Sequence, residues 1–322
     1  MVRVLLSGNE AIARGAYEYG VRLASAYPGT PSTEILETIA EYDGIMSEWA
    51  PNEKVALDVA IGAAYAGARA MAVMKHVGLN VAADAFFYVS MTGTEGGLVI
   101  VSADDPAMHS SQNEQDNRCY CKFARVPCLE PSDSQEAKDL VGVALEISEQ
   151  FDTPVVLRTT TRIAHSHTLV EQFDRLEPRA GNGPLDYRVD LAKYVMVPGN
   201  ARRRHPIIEQ RVKRLAGFAE TFPYNRVEMG DRSLGIVTNG VAYQYAKEVF
   251  PDASFLRLGM TYPLPQALVQ EFAGNVERLI VIEELDPFVE EEIRLMGISV
   301  EGKCIFPITG ELDPTVVREC AI

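Results

Sequence analysis

Short apolar runs alternate with longer amphipathic stretches through the first half of the chain, the pattern of strand–helix repeats that build a mostly parallel sheet. The runs predict strands at Val2–Leu6, Leu23–Tyr27, Ile45–Trp49, Ala70–Lys75, Leu98–Ser102 and Val155–Arg158. Between them the spacing predicts helices at Asn9–Tyr19, Pro31–Tyr42, Asn52–Ala68, Val81–Thr92 and Ser134–Gln150, the last capped by Asp133 or Ser134 with Glu136 in its first turn. From Thr168 to Arg232 the periodicity fades into proline, glycine and charge, which reads as a linker with a helix at Pro206–Thr221. A smaller α/β unit follows. Its expected strands are Leu234–Thr238, Ser254–Leu258, Leu279–Glu283 and Lys303–Pro307, with helices at Val241–Phe250, Pro265–Ala273, Pro287–Met296 and Pro314–Glu319. The expected division is therefore a first domain over residues 1–167, a linker over 168–232 and a second domain over 233–322.

At 322 residues and 47% apolar content, the chain can bury the cores of two such domains. A formal net charge of -15 argues against a nucleic-acid surface, which relies on clustered Lys and Arg. The one basic run, Arg202-Arg203-Arg204-His205, reads as a linker or subunit contact before it reads as an anion site. The sequence has neither a signal-peptide pattern nor an apolar run of about 18 residues, so a cytoplasmic protein with no membrane contact is expected. Five cysteines make an odd, sparse set, and Cys119-Tyr-Cys121 lacks the spacing of a zinc or iron–sulfur ligand set, so no metal is expected on this chain.

Three segments carry candidate chemistry. In "YPGTPSTEI", Pro31 suits the first turn of a helix and Thr30 falls at its N-cap. Its hydroxyl can satisfy the helix's own N–H groups, or it can address a bound carboxylate or carbonyl, because ligands of open α/β sheets sit at the C-terminal ends of strands. In "APNEKVALDVAIGAAYAGARAMAVMKHVGLN", Asn52 can cap a helix with Glu53 in its first turn, where the dipole favours a carboxylate even without chemistry. That helix is expected to place the small-residue stripe Val55, Val59, Gly62, Ala63 and Ala66 against a neighbour, and Gly78 allows close backbone approach after the next strand. His76 alone reads first as a structural hydrogen-bonder. In "GGLVIVSADDPAMHSSQNEQDNRCYCKFA", a buried strand empties into a long polar loop of the kind that binds something. Arg118 there is a natural bidentate partner for a carboxylate, with an ion pair to Asp116 or Glu114 as the alternative. Asp104 and Asp105 read as turn or capping residues before they read as a metal pair.

The order of "YPGTPSTEI", "NEKVALDVAIGAAYAGARA", "KHVGLN", "GGLVIVSADDP" and "SSQNEQDNR" resembles the N-terminal half of the 2-oxoacid:ferredoxin oxidoreductases, in particular the alpha subunit of the indolepyruvate-type enzymes. "SLGIVTNGVAYQYAKEV", "RLGMTYPLP" and "VIEELDPFVEEEIR" resemble that subunit's transketolase-C-terminal-like domain, so the resemblance spans the chain. It implies an α/β fold: a pyrimidine-binding domain of thiamine diphosphate enzymes, with helices on both faces of a parallel sheet, plus the smaller domain. It implies that Glu53 bonds the cofactor's pyrimidine nitrogen and so favours the tautomer that activates the thiazolium. It also implies that Thr30 lies near the substrate carboxylate and the reactive end of the cofactor, and that Gly78, Leu79 and Asn80 lie along the pyrimidine pocket. Pyruvate-specific relatives carry an arginine after the polar loop. Here Cys121 or Lys122 stands opposite it, and Arg118, a helical turn earlier, is the candidate substitute for binding the substrate carboxylate.

The diphosphate-binding pattern of such enzymes, Gly-Asp-Gly and an Asn about 25 to 30 residues later, is not in this sequence, nor is a cysteine series for clusters. That reads as a split subunit or a fragment. The resemblance then implies that thiamine diphosphate is shared with a partner chain carrying the diphosphate-binding domain, with Mg²⁺ and the [4Fe-4S] clusters on partners and not here. The expected partners are that subunit, an iron–sulfur subunit, a gamma-type subunit, ferredoxin, the 2-oxoacid and coenzyme A. The isolated chain is expected to be inactive. The alternatives are a component of a non-oxidative thiamine diphosphate enzyme, either a decarboxylase or transketolase-like, and a catalytically silent scaffold.

Overall fold

A computed structural model describes residues 2–176 and 187–320, so residues 177–186 of the expected linker lie outside the described residues. Six of the strands in the central sheet are parallel, in the order Cys128–Leu129, Val155–Thr160, Leu98–Asp104, Ala70–Lys75, Leu23–Ala26, Met46–Trp49. Leu98–Asp104 and Val155–Thr160 are buried along their whole length, as befits strands with helices on both faces. One face is covered by Gly8–Glu18, Thr33–Ile39 and Ser134–Phe151, around Ile12, Ile35, Leu140 and Leu157. The other is covered by Glu53–Tyr65, His76–Thr92 and Arg118–Ala124, around Leu57, Leu79, Phe86 and Ile100.

Four details depart from expectation. Val2–Ser7 is not a strand of the parallel sheet. It pairs antiparallel with His167–Gln172 in a separate two-stranded ribbon, so the boundary expected at 167/168 falls inside a strand. The helix from Glu53 buries Ala56, Leu57, Ala60, Ile61 and Ala64 instead of the stripe through Val55 and Val59, and Gly62 faces open space. The linker helix is longer than expected, Pro198–Ala219. In its basic run, Arg204 donates to the carbonyls of Met91 and Thr92, where it satisfies the end of the helix His76–Thr92, and to Asp152 Oδ2 at 2.8 Å. Finally, the segment expected as the strand Lys303–Pro307 is a turn. Lys303 Nζ donates to the carbonyls of Glu283 (2.6 Å) and Pro307 (3.2 Å), which draws the segment into a loop.

The second unit is a four-stranded sheet, with Arg278–Ile282, Asp231–Asn239 and Ala253–Leu258 parallel and Arg226–Glu228 antiparallel at the edge. It joins the first by extending its sheet: Met260–Tyr262 pairs antiparallel with Cys128–Leu129, making seven strands in all. A buried ionic cluster closes the junction. Arg158 Nε donates to Asp104 Oδ2 at 2.7 Å and its Nη1 to Glu130, whose carboxylate also accepts from Thr261 Oγ1 (2.6 Å) and Asn239 Nδ2 (2.9 Å) of the second unit. Arg118 Nη1 donates to Glu283 Oε2 at 2.6 Å, and its Nη2 reaches the carbonyls of Glu284 (2.9 Å) and Asp286 (3.2 Å). The segments "SSQNEQDNR" and "VIEELDPFVEEEIR" therefore meet physically, through Arg118 and Glu283.

The Glu284 carboxyl, in the same cluster, has one long bond among the described residues, from Leu312 N at 3.4 Å. Burial pushes its carboxyl up to about 7, Arg158 opposing this and Glu311 adding to it. A carboxyl whose folded pKa lies above its unfolded value of 4.5 contributes stability below that value and loses it as pH rises through about 7. Glu284→Gln should accordingly stabilise the protein at pH 8.5, by up to about 3 kcal/mol, and change it little at pH 5. Urea midpoints at the two pH values check this; an equal shift at both would remove Glu284 as the cause.

Candidate functional site

At the C-terminal edge of the sheet, the strand Met46–Trp49 leads into a helix whose N-cap is Asn52, its Oδ1 accepting from Val55 N at 3.0 Å. Glu53 is the first helical residue, so its side chain lies where the helix's own N–H groups favour negative charge. The next helix, His76–Thr92, begins directly at the end of Ala70–Lys75, earlier than the expected Val81, and so Gly78, Leu79 and Asn80 sit in its first turn and a half. The two helix starts converge on one contact. A Cβ placed on Gly78 would lie 2.6 Å from Glu53 Cγ and 2.7 Å from its Oε1, closer than real side-chain atoms approach. Gly78 is therefore glycine because the Glu53 carboxyl occupies the space of its side chain. Glu53 is 8% exposed, and its carboxylate makes no hydrogen bond or ion pair among the described residues. A carboxyl so placed is left to water or to a ligand for its hydrogen bonds.

Leu79 is fully buried in the core, so it supports the site from behind. Asn80 is exposed and is held by the polar loop: Nδ2 donates to Gln115 Oε1 at 2.9 Å, while Oδ1 accepts from Gln115 Nε2 (3.0 Å) and Tyr120 Oη (2.8 Å). His76 is buried, with Nε2 3.1 Å from the Asn113 carbonyl, and Asn117 Nδ2 donates to the His76 carbonyl at 3.1 Å. This polar loop is thus tied to the start of the Gly78 helix by Asn113, Gln115 and Asn117, none of which sequence reading assigned to the site. Asn and Gln spaced through a loop were its only signal.

Thr30 does not cap a helix. The helix begins at Thr33, because a turn closes first: Ser32 Oγ donates to the Gly29 carbonyl (2.8 Å) and Gly29 N donates to Thr33 Oγ1 (2.9 Å). Thr30 is left exposed at the strand end, its carbonyl accepting from Ser110 Oγ at 3.2 Å and its hydroxyl unpaired among the described residues. It lines a cavity of about 460 Å³ with His109, Ser110, Thr161, Arg162, His165 and Ser166. Glu53 and Gly78 do not line that cavity. Lys75 links the two regions: its stem would meet a Cβ on Gly29 at 3.1 Å, its Nζ donates to the Ser110 carbonyl at 3.2 Å, and its backbone caps the Gly78 helix.

Arg118 corrects the expectation of a ligand-binding side chain. It is fully buried, and besides the second-unit groups above it grips both oxygens of Asp116, with Nε at 2.9 and 3.0 Å. The ion-pair alternative holds, with Asp116; Glu114 instead accepts from Ala107 N at 2.6 Å. Burial alone pushes the Asp116 carboxyl up, but Arg118 and Arg158 hold it below its ordinary value. Cys121 is also fully buried, and Lys122 pairs at the surface with Glu292. Asp104 and Asp105 do separate work: Asp104 serves Arg158, while Asp105 accepts from Ser111 Oγ (2.6 Å), Ser110 N (2.9 Å) and Thr161 Oγ1 (2.8 Å), which shapes the loop. Among the described residues no group of His, Cys, Asp or Glu is arranged to hold a metal ion, and no helix is long and apolar enough to cross a membrane.

The chain is 42% identical over 313 residues to the indolepyruvate oxidoreductase subunit IorA of Archaeoglobus fulgidus, covering 94% of this chain and 50% of that protein. Against IorA of Methanothermobacter marburgensis it is 45% identical over 324 residues, covering 98% and 52%. It thus spans about half the length of these curated relatives. The 2-oxoglutarate synthase subunit KorA of Methanothermobacter thermautotrophicus is 24% identical and is matched over 94% of its length. In fold, the chain superposes with a TM-score of 0.77 and 17% identity on a solved 2-oxoglutarate:ferredoxin oxidoreductase from Magnetococcus marinus, covering 99% of this chain and 64% of that one. Residues 14–196, holding Glu53, Gly78 and Thr30, match the model of the pyruvate flavodoxin/ferredoxin oxidoreductase thiamine diphosphate-binding domain, and the chain belongs to that family, close to the IorA subunits.

Proposed function

We propose that this chain supplies the pyrimidine-binding half of the active site in a thiamine diphosphate-dependent 2-oxoacid:ferredoxin oxidoreductase acting on indolepyruvate or a related arylpyruvate. One observation carries the reading: a nearly buried carboxylate with no partner among the described residues, held against a glycine where two helices begin. Such a group suits a ring nitrogen of an aminopyrimidine, whose in-plane lone pair can share a proton with a carboxyl. When bound, thiamine diphosphate supplies the carbon nucleophile and the electron sink for decarboxylation of a 2-oxoacid. In this proposal Glu53, seated against the bare backbone of Gly78, holds and shares the proton at that nitrogen. Thr30 presents an uncommitted hydroxyl to the substrate. Asn80 and the loop residues it binds wall the other side.

The same proposal assigns the unit built on the larger sheet to the pyrimidine and the smaller one to a transketolase-C-terminal-like role in assembly. The cofactor's diphosphate and Mg²⁺ fall to a partner chain, the [4Fe-4S] clusters to an iron–sulfur subunit, and a gamma-type subunit, ferredoxin and coenzyme A complete the reaction. The arylpyruvate preference rests on the names of the IorA relatives.

The test is reconstitution. Ferredoxin reduction should require thiamine diphosphate and the partner chains, run faster with indolepyruvate than with pyruvate or 2-oxoglutarate, and be undetectable with this chain alone. Turnover by the isolated chain, or turnover of the complex without the cofactor, would refute it.

A further inference from the structure

With Arg118 committed to the domain junction, the Thr30 cavity has its own candidate for an acid. Arg162, in the short helix that follows the central strand Val155–Thr160, lines that cavity and is half exposed. Its guanidinium is gripped edge-on by Glu311 of the second unit: Nε is 2.6 Å from one carboxylate oxygen and Nη2 is 2.6 Å from the other. His109, also lining the cavity, has Nε2 3.3 Å from the same carboxylate. The nearby acid Asp105 is occupied by Ser110, Ser111 and Thr161, so it does not compete for Arg162. A planar fork pairing both oxygens is the geometry by which arginine recognises carboxylates. Here the carboxylate comes from a different unit and the cation opens onto a cavity, beside a threonine hydroxyl with no partner among the described residues.

We infer that Arg162 is the receptor for the substrate carboxylate at the Thr30 cavity, and that Glu311 is a placeholder which a 2-oxoacid displaces. The inference deepens the proposed function and rests on it for the identity of the substrate. The Arg162 guanidinium is half exposed while the Glu311 carboxylate is only 10% exposed, so water screens the pair from the arginine's side, and exchange of one carboxylate for another costs less here than at the fully buried Arg118. Displacement also frees Glu311, which ties substrate binding to the contact between the two units.

Two measurements test this. In the reconstituted complex, Arg162→Gln should raise KM for the 2-oxoacid at least about tenfold with kcat within about threefold, and Glu311→Gln should lower KM. Independently of turnover, calorimetry on the full chain with phenylacetate and its uncharged counterpart phenylacetamide reads the carboxylate alone. Glu311→Gln should tighten phenylacetate about tenfold without affecting the amide; Arg162→Gln should abolish the discrimination, and Arg162→Lys, which keeps the charge without the fork, should restore part of it. The opposite signs are diagnostic, since a purely structural ion pair makes both substitutions act in the same direction. Weakening by both, no change in either, or no phenylacetate binding by the Glu311→Gln chain overturns the inference. A complex with no thiamine-dependent turnover sinks the functional reading, while the phenylacetate measurements still decide Arg162.

Discussion

Replacing Glu53 by glutamine in the assembled enzyme is expected to lower kcat by a factor of about 10² to 10⁴, the range that a positioned acid–base group contributes. Folding should be nearly untouched. The side chain keeps its volume, loses at most about 1 kcal/mol of helix-terminus electrostatics, and gives up no hydrogen bond or ion pair among the described residues. That combination separates a working residue from a structural one, because a structural carboxylate would lose stability on the same change. Gly78→Ala is the companion experiment. Its Cβ would fall on the Glu53 side chain, at 2.6 Å from Cγ, so either the carboxyl moves or the helix starts spread. Turnover should fall with the acid still present, and the thiamine diphosphate concentration needed for half-maximal rate should rise. Activity within about threefold of wild type in Glu53→Gln would show that this carboxyl shares no catalytic proton.

Much of the framework was legible because its signals are local. Buried parallel strands are unbroken apolar runs, and Asn52 caps its helix by a bond three residues long. The misreadings share a different cause. The stripe from Val55 was off by one position because an alanine-rich helix offers several small-residue faces, and only the neighbouring core decides which one is buried. His167–Gln172 reads as polar linker because an exposed ribbon strand needs no apolar run, and its pairing with Val2–Ser7 is set by chain closure. At the site, Glu53 and Gly78 were each visible as candidates, yet their mutual exclusion of space is a property of two converging helices. Arg118 shows the limit most clearly. Its residue type announces a carboxylate partner, but whether that partner is a ligand or Glu283, distant in sequence, is settled by packing alone. Arg162 carried no local signal at all, since its partner Glu311 lies in the other unit.

Arg118→Ala should be among the most damaging single changes in the chain, costing about 3 to 5 kcal/mol. The reasoning is asymmetric. A buried ion pair adds little over a well-packed apolar equivalent, but removing one partner strands the others. Here the substitution leaves Asp116 and Glu283 buried without their principal cation, and frees the carbonyls of Glu284 and Asp286. Glu283 retains the N–H groups of Val289 and Glu290, and Asp116 retains Arg158 Nη2 only at 3.8 Å, so neither loss is made good. Arg118 also sits over the Phe288 ring, 5.2 Å from its centroid, and alanine would leave a void there. Arg118→Lys keeps a positive charge but cannot reach Asp116, Glu283 and two carbonyls together, so it should fall between alanine and wild type. Because the contacts to Glu283, Glu284, Asp286 and Phe288 cross the junction, the loss should appear as earlier exposure of that junction, read as faster amide exchange at residues 284–289, before the parallel sheet itself melts. Urea unfolding followed beside exchange measures both. A cost below about 1 kcal/mol with an unchanged exchange pattern would mean that the sheet extension through Met260–Tyr262 holds the two units together without the arginine.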